Sequence, residues 1–309
     1  MTTSREEIKA YAAMTLSTLI IGLSFIFVKT ALSSATVYDL LAHRFTVAIL
    51  ALAITYIAGR KPLPLFSASR IKPLLLLSLF YPFLFFSLQT LGLKYTTASE
   101  AGIISAVLPI ITLVMAYIFL KEKTNAKQII SILVSVAGLL YIIFKKTPSS
   151  GTGSLKGSLL ILLSILSIVA YYILGRKITP RYQALDITFF MTLTAFIVFN
   201  CISLYKHMQS DSLEVYFQPF ANSKYLWAIV YLGILSSFLT SLFSNYALSV
   251  ISASQVGVFN NISPVISVIG GVLFLNENLY LYHIIGSILI LLGVAGSMIF
   301  KNPDSSNKL

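Results

Sequence analysis

The chain has 309 residues, 57% of them hydrophobic and 10% charged, with a formal net charge of +12 and a mean hydropathy of +0.88. Soluble domains carry about 25% charged residues, so the composition excludes a water-soluble globule and describes an integral membrane protein. The positive charge is spread over short loops without an aromatic-interleaved patch, which excludes a nucleic-acid partner, and the single cysteine, Cys201, excludes internal disulfides and a cysteine-based metal site.

Apolar runs close to the roughly 20 residues needed to cross hydrocarbon fall at 10–32, 37–58, 71–93, 98–120, 127–144, 156–175, 184–205, 225–248, 253–275 and 281–300. Open strands would leave backbone groups unpaired in lipid, and the runs lack barrel alternation. The expected fold is therefore all-α, with ten transmembrane helices. The N-terminal stretch MTTSREEIKAYAAM enters the first run without an A-x-A-like cleavage site and reads as a retained helix.

The first run holds Gly22 and Ser24 and ends at Lys29. The second carries Asp39, His43 and Arg44 in its first two turns. Asp39 and His43, four apart, share a face, and Arg44 lies about 10 Å below the outer boundary at about 1.5 Å per residue. The third run contains Tyr81, Pro82 and Gln89; the fourth opens with Glu100 on the same outer side as Arg44; the fifth has few polar atoms. Residues 145–156, KKTPSSGTGSLK, read as an exposed flexible linker. The sixth run presents Tyr171 and Tyr172, the eighth Trp227 and Asn245, and the ninth Gln255, Asn260, Asn261, Ser263 and Pro264. The tenth carries Gly286, Gly293 and Gly296, which permit close helix packing.

An ungapped shift of 155 residues brings ASEAGIISAVLPIITLVMAYIFLKE, residues 98–122, onto ASQVGVFNNISPVISVIGGVLFLNE, residues 253–277. Gly102, Pro109 and Glu122 meet Gly257, Pro264 and Glu277, and Gly138 meets Gly293. Two unrelated apolar helices would share some Leu and Ile, but not Gly, Pro and Glu in one register. Five helices is an odd number, so the second copy enters the membrane from the opposite side. The expectation is two inverted five-helix repeats, 1–146 and 156–309, joined by the linker 147–155. Lys and Arg fall fourteen on the side of the N-terminus against seven on the other, Arg44 apart, which places both termini in the cytoplasm. The Lys145/Lys146 pair goes against that count.

The duplicated unit, the Gly22-containing motif, the run Ala42-His43-Arg44-Phe45, and A-S-x-x-G...P...F-L-x-E in the fourth and ninth runs resemble the EamA branch of the drug/metabolite transporter superfamily, over roughly residues 10–300. Ile21 stands where many members have tryptophan, and Met191 falls near the place corresponding to Arg44. The resemblance implies export of a small metabolite, an amino acid or related compound, from the cytoplasm across a bacterial inner membrane, by alternating access between the inverted halves. A nucleotide-sugar or other phosphorylated-metabolite carrier, or a passive permease, is the alternative within the superfamily. No G-x-x-x-x-G-K-[ST] is present, so transport is not driven by a resident ATPase; without H-E-x-x-H or a carboxylate cluster the chain reads as neither enzyme nor metalloprotein, and needs no cofactor.

Intramembrane polar residues supply the candidate sites. Ser24, Tyr81, Gln89, Tyr171, Tyr172, Trp227, Asn245 and Asn260 are the candidates for the substrate pathway, since aromatic walls and scattered amides hold a small amphipathic molecule without fixing a large charge. Asn260 and Asn261 differ by about 100° around a helix, and Asn261 continues the small-residue stripe Ala253/Gly257, so Asn260 is assigned to the cavity and Asn261 to packing. Gly102 and Gly257 are read as packing residues, and Pro109 and Pro264 as hinges that each free a carbonyl. For Arg44 three readings stand side by side: an ion pair with Asp39 or Glu100, recognition of a substrate carboxylate, or a snorkelling contact with a lipid headgroup. Asp39, His43 and Glu100 are the candidate proton carriers should transport be proton-coupled. The expected partners are thus a small-molecule substrate, the bilayer and protons, with the protein a monomer or homodimer.

Overall fold

The computed structural model describes residues 5–60, 62–64, 68–120, 125–145, 154–260 and 263–300; Glu122, Asn261, Ile262 and the linker core 147–153 lie outside the described residues. Among the described residues the secondary structure is helical throughout. Eight helices are long and apolar enough to cross a membrane: α1 Arg5–Leu32, α2 Val37–Ala58, α3 Ile71–Tyr95, α4 Ala98–Phe119, α5 Ala126–Lys145, α6 Leu155–Arg181, α7 Ala184–Gln209 and α8 Ser223–Val250. Three shorter ones follow, α9 Ala253–Phe259, α10 Ser263–Leu275 and α11 Leu281–Ile299. Residues 261–262, inside the expected ninth span, lie outside the described residues, so α9 and α10 are its described parts; α10 and the apolar part of α11 are each shorter than the eight.

Local chemistry sets the helix starts. Thr36 caps α2 by accepting from the Asp39 N–H at 3.2 Å, Thr97 caps α4 by accepting from the Glu100 N–H at 3.1 Å, and Ser154 caps α6 through the Gly157 N–H at 3.2 Å. At the end of α10 Asn276 takes a left-handed φ of 52°, which its short amide side chain tolerates. The chain turns back there, and the Glu277 N–H donates to the Gly271 carbonyl at 3.2 Å.

Several spans are irregular near their middles. In α3 the helix breaks at Tyr81, whose backbone is extended (φ −142°, ψ 120°) just before Pro82, whereas in α8 Tyr231–Leu239 form wide π-helical turns. In α4 the helix is interrupted after Ser105 and resumes at Leu108, one residue before Pro109. Such breaks leave carbonyls available to side chains: Ser167 Oγ donates to the Phe80 carbonyl at 2.7 Å.

The halves pack reciprocally. α1 lies against α8 and α10, while α6 lies against α3 and α4; α2 pairs with α7, and α5 with α11. The reciprocity extends to single residues. A Cβ on Gly102 would stand 2.6 Å from Ser267 Cβ, and one on Gly257 would stand 3.1 Å from Thr112 Cβ; Thr112 and Ser267 are themselves 155 apart. Likewise a Cβ on Gly138 would meet the Gly286 carbonyl at 2.8 Å and the Ile290 N at 3.0 Å, whereas one on Gly293 would meet the Ser131 carbonyl and the Ser135 N at 2.5 and 2.6 Å. Residue i touching j while the copy of j touches the copy of i is the signature of an isologous contact. At Gly138 and Gly293 the partner backbone occupies the space of a side chain, and at Gly102 and Gly257 the side chains of Ser267 and Thr112 crowd it.

Candidate functional site

Six spans converge on a cavity in the centre of the bundle. It is lined by Ile21, Ser24 and Phe25 of α1; Tyr81, Phe85, Phe86 and Gln89 of α3; Ser105 and Leu108 of α4; Ile165, Ile168 and Tyr172 of α6; Ser236, Thr240 and Ser244 of α8; and Asn260 and Ser263 at the junction of α9 and α10. The volume open to water is about 40 Å³, room for a few waters at roughly 10–15 Å³ each. The pairs α2–α7 and α5–α11 flank the six.

Five pairs of these lining positions are related by the shift of 155: Tyr81 and Ser236, Phe85 and Thr240, Gln89 and Ser244, Ser105 and Asn260, Leu108 and Ser263. The two copies contribute equivalent places but different chemistry. In these five pairs the first half places Tyr81, Phe85, Gln89, Ser105 and Leu108, and the second half four hydroxyls and one amide.

Its polar groups differ in how far the protein satisfies them. Ser24 Oγ donates to the Ile21 carbonyl at 2.7 Å and Ser105 Oγ to the Ala101 carbonyl at 2.8 Å, so both are used within their own helices. Asn260 Nδ2 donates to Tyr172 Oη at 3.1 Å and to the Val256 carbonyl at 3.3 Å. Tyr81 Oη is 3.1 Å from Ser241 Oγ, which donates onward to the Ser237 carbonyl. The amide of Gln89 is buried without a protein partner among the described residues, and so faces the cavity.

Tyr171 and Asn245 lie outside the lining: Tyr171 Oη donates to Asn245 Oδ1 at 2.8 Å, and Asn245 Nδ2 donates to Thr188 Oγ1 at 2.9 Å. This self-contained buried pair supports the wall, with Tyr171 stacked on Tyr81 at a centroid separation of 4.7 Å. Trp227 is 71% exposed on the outside of the bundle, which corrects its assignment to the pathway; it sits near the start of α8, where an indole suits the membrane interface. Asn261 lies outside the described residues.

The ionisable residues also separate in a way their spacing did not foretell. Asp39 is bonded through Oδ1 to His207 Nε2 at 2.8 Å and to Ser203 Oγ, and through Oδ2 to Thr36 Oγ1 at 2.8 Å. His43 turns to Tyr225 Oη at 2.7 Å. Glu100 Oε1 accepts from Ser158 Oγ at 2.7 Å. Among the described residues none of the acids lies within ion-pair distance of Arg44, so the expected Arg44 ion pair with Asp39 or Glu100 is not formed: each carboxylate is already held by closer donors. Arg44 is also 0% exposed, which removes the headgroup reading. Its Nε donates to Ser237 Oγ at 2.6 Å and its Nη2 to Ser236 Oγ at 2.8 Å, while the guanidinium carbon lies 4.0 Å from the centroid of the Phe86 ring.

At the opposite end of α10, the Glu277 carboxylate accepts from the Ala98 N–H at 2.7 Å and the Ser99 N–H at 2.8 Å, capping α4 from the other half of the chain. Lys29 Nζ closes the end of α3 in a complementary way, donating to the Leu93 and Thr96 carbonyls at 2.9 and 2.8 Å.

Compared with known proteins, residues 8–144 and 155–299 each match the model of the EamA-like transporter family. The chain belongs to this family. Its relatives include a protein named as the uncharacterized transporter YcxC of Bacillus subtilis (strain 168), 44% identical over 294 residues that cover 95% of this chain and 94% of that protein. The WAT1-related protein At3g28080 of Arabidopsis thaliana is 25% identical, covering 99% of this chain and 92% of that protein. A solved structure described only as "Crystal structure of protein" superposes with a TM-score of 0.65 at 17% identity, covering 94% of this chain and 97% of that one, which supports the fold alone. The EamA membership agrees with the drug/metabolite transporter resemblance of the motifs and makes this a multi-pass membrane transporter.

Of the wall that this EamA transporter builds, sequence reasoning found Ser24, Tyr81, Gln89, Tyr172 and Asn260. Among those it missed are Phe85, Phe86, Ser236, Thr240 and Ser244. A signal for two of them was present: the shift of 155 applied to Tyr81 and Gln89 points to Ser236 and Ser244.

Proposed function

We propose that the protein is a secondary transporter that exports a small amphipathic metabolite, an amino acid or related compound, across the bacterial cytoplasmic membrane. The observation that carries this reading is the central cavity, walled by equivalent positions of both halves with polar groups set among aromatic and aliphatic side chains. The two repeats, 1–146 and 156–309, are related by inversion in this proposal, with both termini cytoplasmic. The reciprocal glycine contacts support a two-fold relation, and the odd number of spans per repeat supports its lying in the membrane plane. Alternating access then consists of the halves exchanging conformations around the cavity.

The test combines identification with a wall substitution. Extracellular and intracellular metabolites would be compared in cells with and without the gene, and the compound whose distribution changes would be assayed for flux in proteoliposomes. Asn260→Ala is expected to lower that flux at least several-fold with little change in melting temperature, since an amide at a wet wall has water as an alternative partner. Wild-type flux by Asn260→Ala would count against the cavity as the site. With Cys201 replaced by Ser, cysteines placed at 147–154 are expected to react with an impermeant thiol reagent from outside and those at 303–309 to be protected; equal labelling of both would refute the inverted arrangement.

A further inference from the structure

We infer that the cargo carries a carboxylate, and that Arg44 determines this charge preference from behind the cavity wall; the inference rests on the central cavity being the transport site. Arg44 is fully buried, yet its partners are two serines, one backbone carbonyl and an aromatic ring. Those groups satisfy hydrogen bonds but contribute no negative charge, and Nη1 has no hydrogen-bond partner among the described residues. A buried cation without a counter-charge is costly inside a membrane protein. Its position is informative, because two of the residues that touch it, Ser236 and Phe86, line the cavity.

Ser236 transmits the charge. Its Oγ accepts from Arg44 Nη2 at 2.8 Å, and its own O–H makes no bond to any described residue. That hydroxyl is therefore a donor at the cavity wall, strengthened by the cation behind it. Gln89 adds a second donor from the facing half. A carboxylate would accept from these two groups, neutralising Arg44 across one side chain, while Phe85, Phe86 and Tyr81 cover the apolar part of the molecule. In the second half Met191, near the place corresponding to Arg44, lies 3.7 Å from Asn245 Nδ2. The cavity thus has one positive side, and the carboxylate is oriented toward α8.

The test uses matched acids and amides as probes on the purified full-length protein at fixed ionic strength: acetate and acetamide, glycine and glycinamide, L-phenylalanine and L-phenylalaninamide. At least one acid is expected to raise the melting temperature with its amide silent. Arg44→Met, which keeps an unbranched side chain without the charge, is expected to abolish the effect, and Ser236→Ala to weaken acid binding about tenfold. Should Arg44→Met fail to fold, the wild-type acid-to-amide comparison and Ser236→Ala decide. The inference is overturned if no acid acts, if amides act equally, or if Arg44→Met responds to acids as wild type does. Flux of the same compounds into proteoliposomes separates the two claims. Amides crossing as fast as acids would remove the charge preference and leave the transporter reading, whereas Arg44-dependent binding without flux would do the reverse.

Discussion

Glu277 fastens the second half of the chain to the first, and its removal gives a measurable cost. Its carboxylate receives two N–H groups, from Ala98 and Ser99, at 2.7 and 2.8 Å, at the positive end of α4 where an anion is favoured by about 0.3–1 kcal/mol. A hydrogen bond to a charged group contributes about 1.5–3 kcal/mol, and because Glu277 is only partly buried the lower value applies. Water can replace part of each bond at this boundary, so Glu277→Ala should cost about 2–3 kcal/mol and Glu277→Gln, which retains one acceptor, about half as much. At about 2–4 °C per kcal/mol, the alanine variant should melt about 5–10 °C below wild type in detergent. Amide exchange of the peptide containing Ala98 and Ser99 should accelerate in the same variant, while that of α5 stays unchanged. An alanine variant that melts within a degree of wild type, with unaltered exchange at 98 and 99, would refute the view that this carboxylate joins the halves.

Two further outcomes follow from packing. Gly138→Val forces a side chain into space where even a Cβ would lie 2.7 Å from Leu289 Cβ; overpacking of this kind costs about 1–3 kcal/mol, so the melting temperature should fall by several degrees, and Gly293→Val should behave alike if the contacts are reciprocal. Trp227→Ala, at a position 71% exposed, should leave flux and melting temperature at wild-type values; a loss of flux would return Trp227 to the pathway.

Much of this protein was legible before any fold was known. Hydrophobic run length gave most spans within a few residues of the observed helices, because a bilayer of fixed thickness and an unsatisfied backbone leave the chain little choice. The shift of 155 identified the duplication because Gly, Pro and Glu recur in one register, and the close contacts of Gly102, Gly138, Gly257 and Gly293 now give the reason for the glycines. Side-chain partnerships were not legible. Asp39 and His43 share a helix face by spacing, yet Asp39 bonds His207, 168 residues away, and Arg44 bonds Ser236 and Ser237 of α8. Periodicity reports which face of a helix a residue occupies, not which neighbouring helix that face meets. The tertiary structure alone therefore decided that Trp227 lies outside, that Tyr171 and Asn245 satisfy each other behind the wall, and that the charge of Arg44 stands beside the cavity: each depends on how helices distant in sequence are rotated against one another, which hydrophobicity along a single helix does not encode.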